Sequence, residues 1–360
     1  LGLSLLVMAK IGLAGDLSPV DAPFAQQVKQ GHEETSHEQF LKPGPWGEVK
    51  VAHLYLEPSK ELMDLVPTPS EVTKWTFVGL SLNEIQRLLQ NAGQTPEAVQ
   101  ELGSALVSSD DDDIDFLPTR DVVKTLSPTT RGQIYRVLAR WPENPHHHQP
   151  FIFSDDDDFR AHFEGSELKP EIVDLIRQLC YPLGDSLAFS DLPCVLGEAE
   201  DDPNFDHELL RALYRRKSLS LEVEINDHTN FDRLATFWSV GLGANDVLPM
   251  LKSAQRGFSG QRIDVAHLLP ALPRRQLLTF PSMADGLKGR FPDALWTAIN
   301  FFNFTPEDVY QTSVGADRYI QSNFRKVSAP FQVGDMIFLV DAQSHGLIHP
   351  CVYIADDIVY

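Results

Sequence analysis

Gly334-Asp335-Met336-Ile337-Phe338-Leu339, followed from position 349 by His349-Pro350-Cys351-Val352-Tyr353-Ile354, is the stretch on which the fold turns. A Gly-Asp turn opens one apolar run, and a histidine opens the next. Met336 to Val340 and Cys351 to Ile354 read as neighbouring strands. A turn-forming loop, Asp341 to Gly346, joins them, and Asp356-Asp357 makes the turn after the second. Such a sheet would hold His349 as a base beside a helix. That helix is read at Phe291-Pro292-Asp293-Ala294-Leu295-Trp296-Thr297-Ala298. Pro292 suits a first helical turn, and Asp293 suits its positively polarised start. Leu295, Ala298, Ile299 and Phe302 form the apolar stripe. Position 294, where free amides and the helix dipole would lower the pKa of a thiol, is an alanine.

Working outward, an internal repeat precedes this segment. Trp75-Thr76-Phe77-Val78-Gly79-Leu80, with Asn83-Glu84-Ile85 and Leu88-Leu89, recurs as Phe237-Trp238-Ser239-Val240-Gly241-Leu242, with Asn245-Asp246-Val247 and Met250-Leu251. Asp121-Val122, Leu126, Arg131 and Gln133-Ile134 recur as Asp264-Val265, Leu269, Arg274 and Gln276-Leu277. The blocks are offset by 162 and 143 residues, so the first copy carries 19 more, around the run Ser108 to Asp115. Each copy reads as a capped amphipathic helix followed by a second helix, and two copies are too few for a solenoid. Val49 to Leu56 reads as a strand where structure begins. Pro170 to Leu179 and Phe205 to Lys217 read as helices, and the alternation of Leu219 to Ile225 reads as a half-buried strand.

The chain has 360 residues, enough for two or three compact units, and 42% of them are apolar. Thirty basic against 51 acidic residues give a formal charge of -21, which repels phosphate backbones and excludes nucleic acid as the expected partner. Cys180, Cys194 and Cys351 lack paired metal spacing; they read as buried thiols, with a Cys180–Cys194 disulfide as the other option. Leu1 to Gly15 is apolar but too short to span a bilayer. It reads as the trailing half of a secretory signal peptide, with a buried N-terminal helix as the alternative. Asp16 to Pro45 is polar and aperiodic, a linker.

Other clusters carry no chemistry on this reading. Asp110 to Asp113 and Asp155 to Asp158 lack the alternation, turn glycine and distant glutamate of a calcium loop, and read as solvated loops. His146-His147-His148 sits between prolines and reads as surface loop. Gly241-Leu242-Gly243 lacks the third glycine of a nucleotide fingerprint. A metal enzyme using His53, His162, His207 or His267 has no ligand spacing behind it. No cofactor and no metal site is expected.

The order of a helix with Asp-(Cys) at its start, then Gly-Asp and an apolar strand, then a strand led by histidine with Tyr-Ile following, resembles the NlpC-type cell-wall peptidases. These are papain-like thiol hydrolases of peptidoglycan peptides. The resemblance covers residues 285–360. It implies that His349 matches the base, Asp293 the residue before the nucleophile, and Gly334-Asp335 the turn. Ala294 stands at the nucleophile position and cannot form a thiolate. The strand bearing the orienting third residue would begin about where Tyr360 ends the chain, so the domain is expected to be incomplete. Thr297, one turn after Ala294, reads as a surface hydroxyl. Cys351 shares a strand face with His349, an arrangement in which nucleophile–base pairs are rare.

The expected fold class is α+β: a helix-rich N-terminal region with an internal repeat, plus an incomplete papain-like domain. The expected divisions are 1–15 (partial signal peptide), 16–45 (linker), 46–200 (first copy), 201–284 (second copy) and 285–360 (papain-like). The expected function is that of an exported bacterial protein, secreted or periplasmic, without a membrane span. It would resemble thiol amidases of cell-wall peptides, bind a peptide or peptidoglycan fragment, and be inactive through Ala294. The alternative is a non-enzymatic interaction or scaffold protein built on the duplicated helical unit.

Overall fold

In a computed structural model, residues 3–10, 39–67, 69–93, 95, 106–108, 113–198, 204–240, 244–255, 261–280, 293–341 and 346–360 are described, with backbone alone for 3–10, 106–108, 244–246 and 255. Most of the polar arm, Asp110 to Asp112, Gly241 to Gly243, Phe291 and Pro292 lie outside them. The chain divides into two compact units: residues 1–56 with 217–360, and residues 57–216. Every strand pair with a described register is antiparallel, so the class is α+β.

The discontinuous unit begins with β1 (Leu3–Lys10), β2 (Gln39–Phe40) and β3 (Val49–Leu56). The stretch read as a signal remnant or a buried helix is thus a strand over Leu3–Lys10. The chain then enters the 57–216 unit.

That unit starts with α1 (Lys60–Met63), β4 (Trp75–Phe77), α2 (Leu82–Asn91), β5 (Leu106–Ser108) and β6 (Ile114–Phe116). It continues through α3 (Arg120–Thr125), α4 (Pro128–Leu138), α5 (Pro145–His148), β7 (Phe151–Phe153), α6 (Asp156–Phe163) and α7 (Pro170–Leu179). It closes with β8 (Tyr181–Leu183), β9 (Ser186–Phe189), α8 (Leu192–Leu196) and α9 (Phe205–Leu213). Two three-stranded sheets, β4-β6-β5 and β7-β9-β8, pack with the helices around a core that includes Trp75, Phe77, Ile85, Phe116, Ile134 and Phe189.

Helix starts are set locally. Ser127 Oγ accepts from the Thr130 N–H (3.1 Å) ahead of Pro128 at the first turn of α4. The acidic run at 155 is not a loop, as the sequence suggested. Asp155 caps α6 through the Asp158 N–H (2.8 Å), and Asp156 to Asp158 fill its first turn, where the helix dipole favours negative charge. The helix expected to run from Phe205 to Lys217 stops at Leu213. Arg215 instead donates to the His162 and Glu164 carbonyls and pairs with Glu57, bonds that a continued helix would not allow.

The chain re-enters the first unit at β10 (Arg216–Ile225), a sheet neighbour of β3. There follow α10 (Phe231–Trp238), α11 (Ala244–Gln255), β11 (Gln261–Asp264), a 3-10 turn at Val265–Leu268, α12 (Ala271–Gln276) and α13 (Ala294–Asn300). A second 3-10 turn (Asp308–Gln311) leads to α14 (Ser313–Asn323), β12 (Phe324–Lys326), β13 (Met336–Asp341), β14 (Leu347–Ala355) and β15 (Ile358–Val359). The sheets are β11-β10-β3-β2 and β12-β1-β13-β14-β15. In β10, Leu221, Val223 and Ile225 are buried while Glu222 and Glu224 are not, the period-two pattern of a strand with one covered face.

The two repeat-like segments fall in different units. Ile85 and Leu89 are buried in α2, and so are Val247 and Leu251 at the matching positions of α11. The segments differ at their start: Trp75–Phe77 is a strand, whereas Phe237 and Trp238 end a helix. Short aromatic runs take the conformation their neighbours impose.

Candidate functional site

The candidate site begins at α13. Asp293 is its N-cap, with extended backbone, and its Oδ1 accepts from the Trp296 N–H at 2.7 Å. Ala294 is therefore the first helical residue. The Thr297 hydroxyl donates back to the Asp293 carbonyl (2.9 Å), so it is engaged. Trp296, Ala298 and Ile299 bury the inner face of the helix. The helix exit is folded back on the helix by two side chains. Trp296 Nε1 donates to the Glu307 carbonyl (3.0 Å), and the fully buried Asn300 accepts from the Glu307 N–H (2.9 Å).

The Gly-Asp turn is a clamp for the sheet. Gly334 has φ +92°, and a Cβ there would lie 2.0 Å from the Phe302 ring, two residues beyond α13. Its N–H donates to the Tyr353 carbonyl (3.0 Å), and the Tyr353 N–H donates to the Asp335 carbonyl (2.8 Å). The buried Asp335 carboxylate accepts from the Gln332 N–H at 2.8 Å; burial pushes its pKa up, and that hydrogen bond opposes the shift. Gly334 and Asp335 thus tie the start of β13 to β14 and press on the exit of α13.

His349 is the third residue of β14, not its first, and is exposed opposite Leu339. A bulge between Leu339 and Val340 follows at this end of the ladder. Cys351, two residues on, is buried, and burial pushes its thiol pKa up, the reverse of what an activated nucleophile needs. Helix α13 packs against β14. The elements bearing Asp293, Ala294 and His349 are therefore neighbours in one unit.

Comparison with family models, with curated proteins and with solved structures gave no match. The site's meaning therefore rests on its own geometry.

The remaining candidate residues are dispersed. His53 and His267 belong to one unit, His162 and His207 to the other. His162 Nε2 bonds the Ala212 carbonyl (2.9 Å), and His207 pairs with Asp64 (3.1 Å). Among the described residues no three His, Cys, Asp or Glu side chains are grouped to hold a metal, and no helix is long and apolar enough to cross a membrane. All three cysteines are free and buried, so the Cys180–Cys194 disulfide is absent; burial pushes both of those thiols up to about 12.

Sequence reasoning missed a buried polar cluster in the 57–216 unit. Arg131 and Asp191 are both fully covered, with Nε 3.0 Å from Oδ2. That contact is an ion pair by distance without hydrogen-bond alignment. Tyr135 donates to the other Asp191 oxygen at 2.5 Å, and Arg131 also donates to the Val123 (2.9 Å) and Gln178 (3.3 Å) carbonyls. Burial outweighs the Arg131 charge and lifts the Asp191 carboxyl to about 6. His147, expected on a surface loop, is buried in α5 with its ring 4.4 Å from that of Tyr135, and desolvation lowers it to about 3. Its flanking prolines mark the boundaries of α5 but say nothing of which histidine turns inward.

Proposed function

We propose that residues 285–360 carry a papain-like scaffold of the NlpC type with alanine at the nucleophile position. On this reading the protein is an exported bacterial one that holds a peptide or cell-wall peptide fragment without cleaving it. The observation that carries the reading is the packing of α13, which starts at Ala294 under its Asp293 cap, onto β14, the strand bearing His349. The Gly334-Asp335 clamp supports it, because it fixes that strand pair against the helix exit. Alanine has no atom that can attack a carbonyl, so no acyl intermediate forms at 294. The engaged Thr297 hydroxyl and the buried Cys351 thiol do not replace it.

Ala294→Cys is the test. In such a scaffold His349 takes the proton of the introduced thiol, and the thiolate attacks an amide carbon. The amine then leaves with that proton, and water releases the acid. The expected outcome is rapid alkylation by iodoacetamide below neutral pH and slow release of amine from a peptide amide, both lost when His349→Ala is added. A variant that neither turns over nor reacts faster than a free thiol would sink the papain-like reading.

A second reading, a non-enzymatic scaffold built on a duplicated helical unit, has its own support. Arg131 and Arg274 occupy matching positions, and each sends Nη2 to a carbonyl of the segment before its helix, Val123 (2.9 Å) and Leu269 (3.0 Å). Under that reading His349→Ala leaves all ligand binding unchanged.

A further inference from the structure

In the 57–216 unit, α6 and α7 with their connection border an open groove of about 560 Å³. Its floor is aromatic and aliphatic: Phe159, Phe163, Leu168 and Val173. Charged side chains form its rim, and they are not balanced. Arg177 Nε donates to Asp156 (2.5 Å) and Arg160 pairs with Asp157 (2.9 Å), so both cations of the rim are neutralised by the first turn of α6. Glu164 and Asp174 line the same groove and have no ion-pair partner among the described residues. The unpaired charge of the groove is therefore negative, over an apolar floor.

We propose that this groove takes an arginine side chain presented by a peptide or protein partner. The aliphatic stem lies across Val173 and the phenylalanine floor, and the guanidinium is shared between Glu164 and Asp174. Guanidinium suits the site better than ammonium: it is planar, weakly hydrated, can fork two carboxylates and tolerates an aromatic neighbour. Arg177 already sets its guanidinium over Phe159, 6.0 Å from the ring centroid, so this floor accepts the group. The formal charge of -21 draws cationic partners toward the surface at long range. The proposal does not depend on the reading of residues 285–360.

The experiment titrates the whole chain with the acetylated, amidated pentapeptide Gly-Ala-Arg-Ala-Gly and follows backbone amide resonances by NMR. Saturable shifts confined to α6, the α6–α7 connection and α7 are expected. The combined E164Q and D174N changes, both at exposed positions, should weaken binding about fivefold, the scale of exposed ion pairs. Added salt should weaken it as well. Replacing arginine by norleucine or glutamate should abolish the shifts. Equal binding of those two peptides, no saturable binding of the arginine peptide, or an affinity untouched by the double variant would each overturn the proposal.

Discussion

The two units hold their interiors together in different ways. Of the twelve buried polar or charged side chains among the described residues, ten are in the 57–216 unit and only Asn300 and Asp335 are in the other. The first interior is specified by side-chain polarity, through Arg131, Asp191, Tyr135, Asn144 and His147. The second is an apolar core whose polar contacts run mainly to backbone, at Asn300, Asp335 and the Gly334 turn. The candidate site belongs to the unit fixed by backbone clamps, in which the buried Asp335 carboxylate accepts from a backbone amide and makes no ion pair among the described residues.

The largest test of that contrast is Asp191→Ala. Removing one partner of a buried pair leaves Arg131 charged in a dry interior, which costs about 3–5 kcal/mol. Hydrogen exchange should show the loss within residues 57–216. Replacing both partners by leucine and methionine should recover most of it, because the desolvation penalty disappears with the charges. A loss below about 1 kcal/mol for Asp191→Ala would mean that the ion pair does not specify this core.

In the other unit the comparable break is Gly334→Ala. The φ of +92° and the Phe302 ring in the path of a Cβ combine strain with overpacking, for about 2–3 kcal/mol. Urea unfolding followed by tryptophan fluorescence, with exchange at Tyr353 as the local readout, would check it. A neutral substitution would remove the clamp from the account of the site.

Acid should separate the units next. His147 is lowered from 6.5 to about 3, so the unfolded chain takes its proton first and stability falls as pH drops through that window. Asp191 is raised from 3.8 to about 6, so its contribution is present at low pH and is lost as pH rises through that range. The two slopes oppose each other between about pH 4 and 6, and the wild-type unit should be nearly level there. His147→Phe should leave a unit that strengthens on acidification, and Asp191→Asn one that weakens, each by about 1 kcal/mol per pH unit. Parallel urea midpoints for the three proteins across that range would refute the assignment.

What the sequence disclosed does not follow that division but the difference between local pattern and long-range contact. The strand at Met336, the Gly-Asp turn, the helix Pro170–Leu179 and the alternation of Leu219 to Ile225 are local patterns, and each is found where its period put it. The polar cluster was invisible, because Arg131 and Asp191 lie sixty residues apart and nothing in either neighbourhood marks a partner. The acidic run at 155 carried a helix-start signal that was read as solvation, and Arg215 ended a helix for reasons set elsewhere in its unit. At the candidate site the residue types and the burial of Cys351 were legible, but the bond occupying Thr297 was not.

The smallest expected effect bears most directly on the candidate site. Asp293→Ala removes the acceptor for the Trp296 N–H and should cost about 1 kcal/mol, with Asp293→Asn restoring most of it. Ala294 itself is the best helix former available, so the helix keeps its start without a thiol. Cap and nucleophile position are then separable: one sets where the helix begins, the other whether its first residue reacts. In an Ala294→Cys background, Asp293→Ala should slow alkylation of the introduced thiol, while Asp293→Asn should preserve it. If both slow it equally, the Asp293 charge rather than its hydrogen bond governs the site, and its role extends beyond capping.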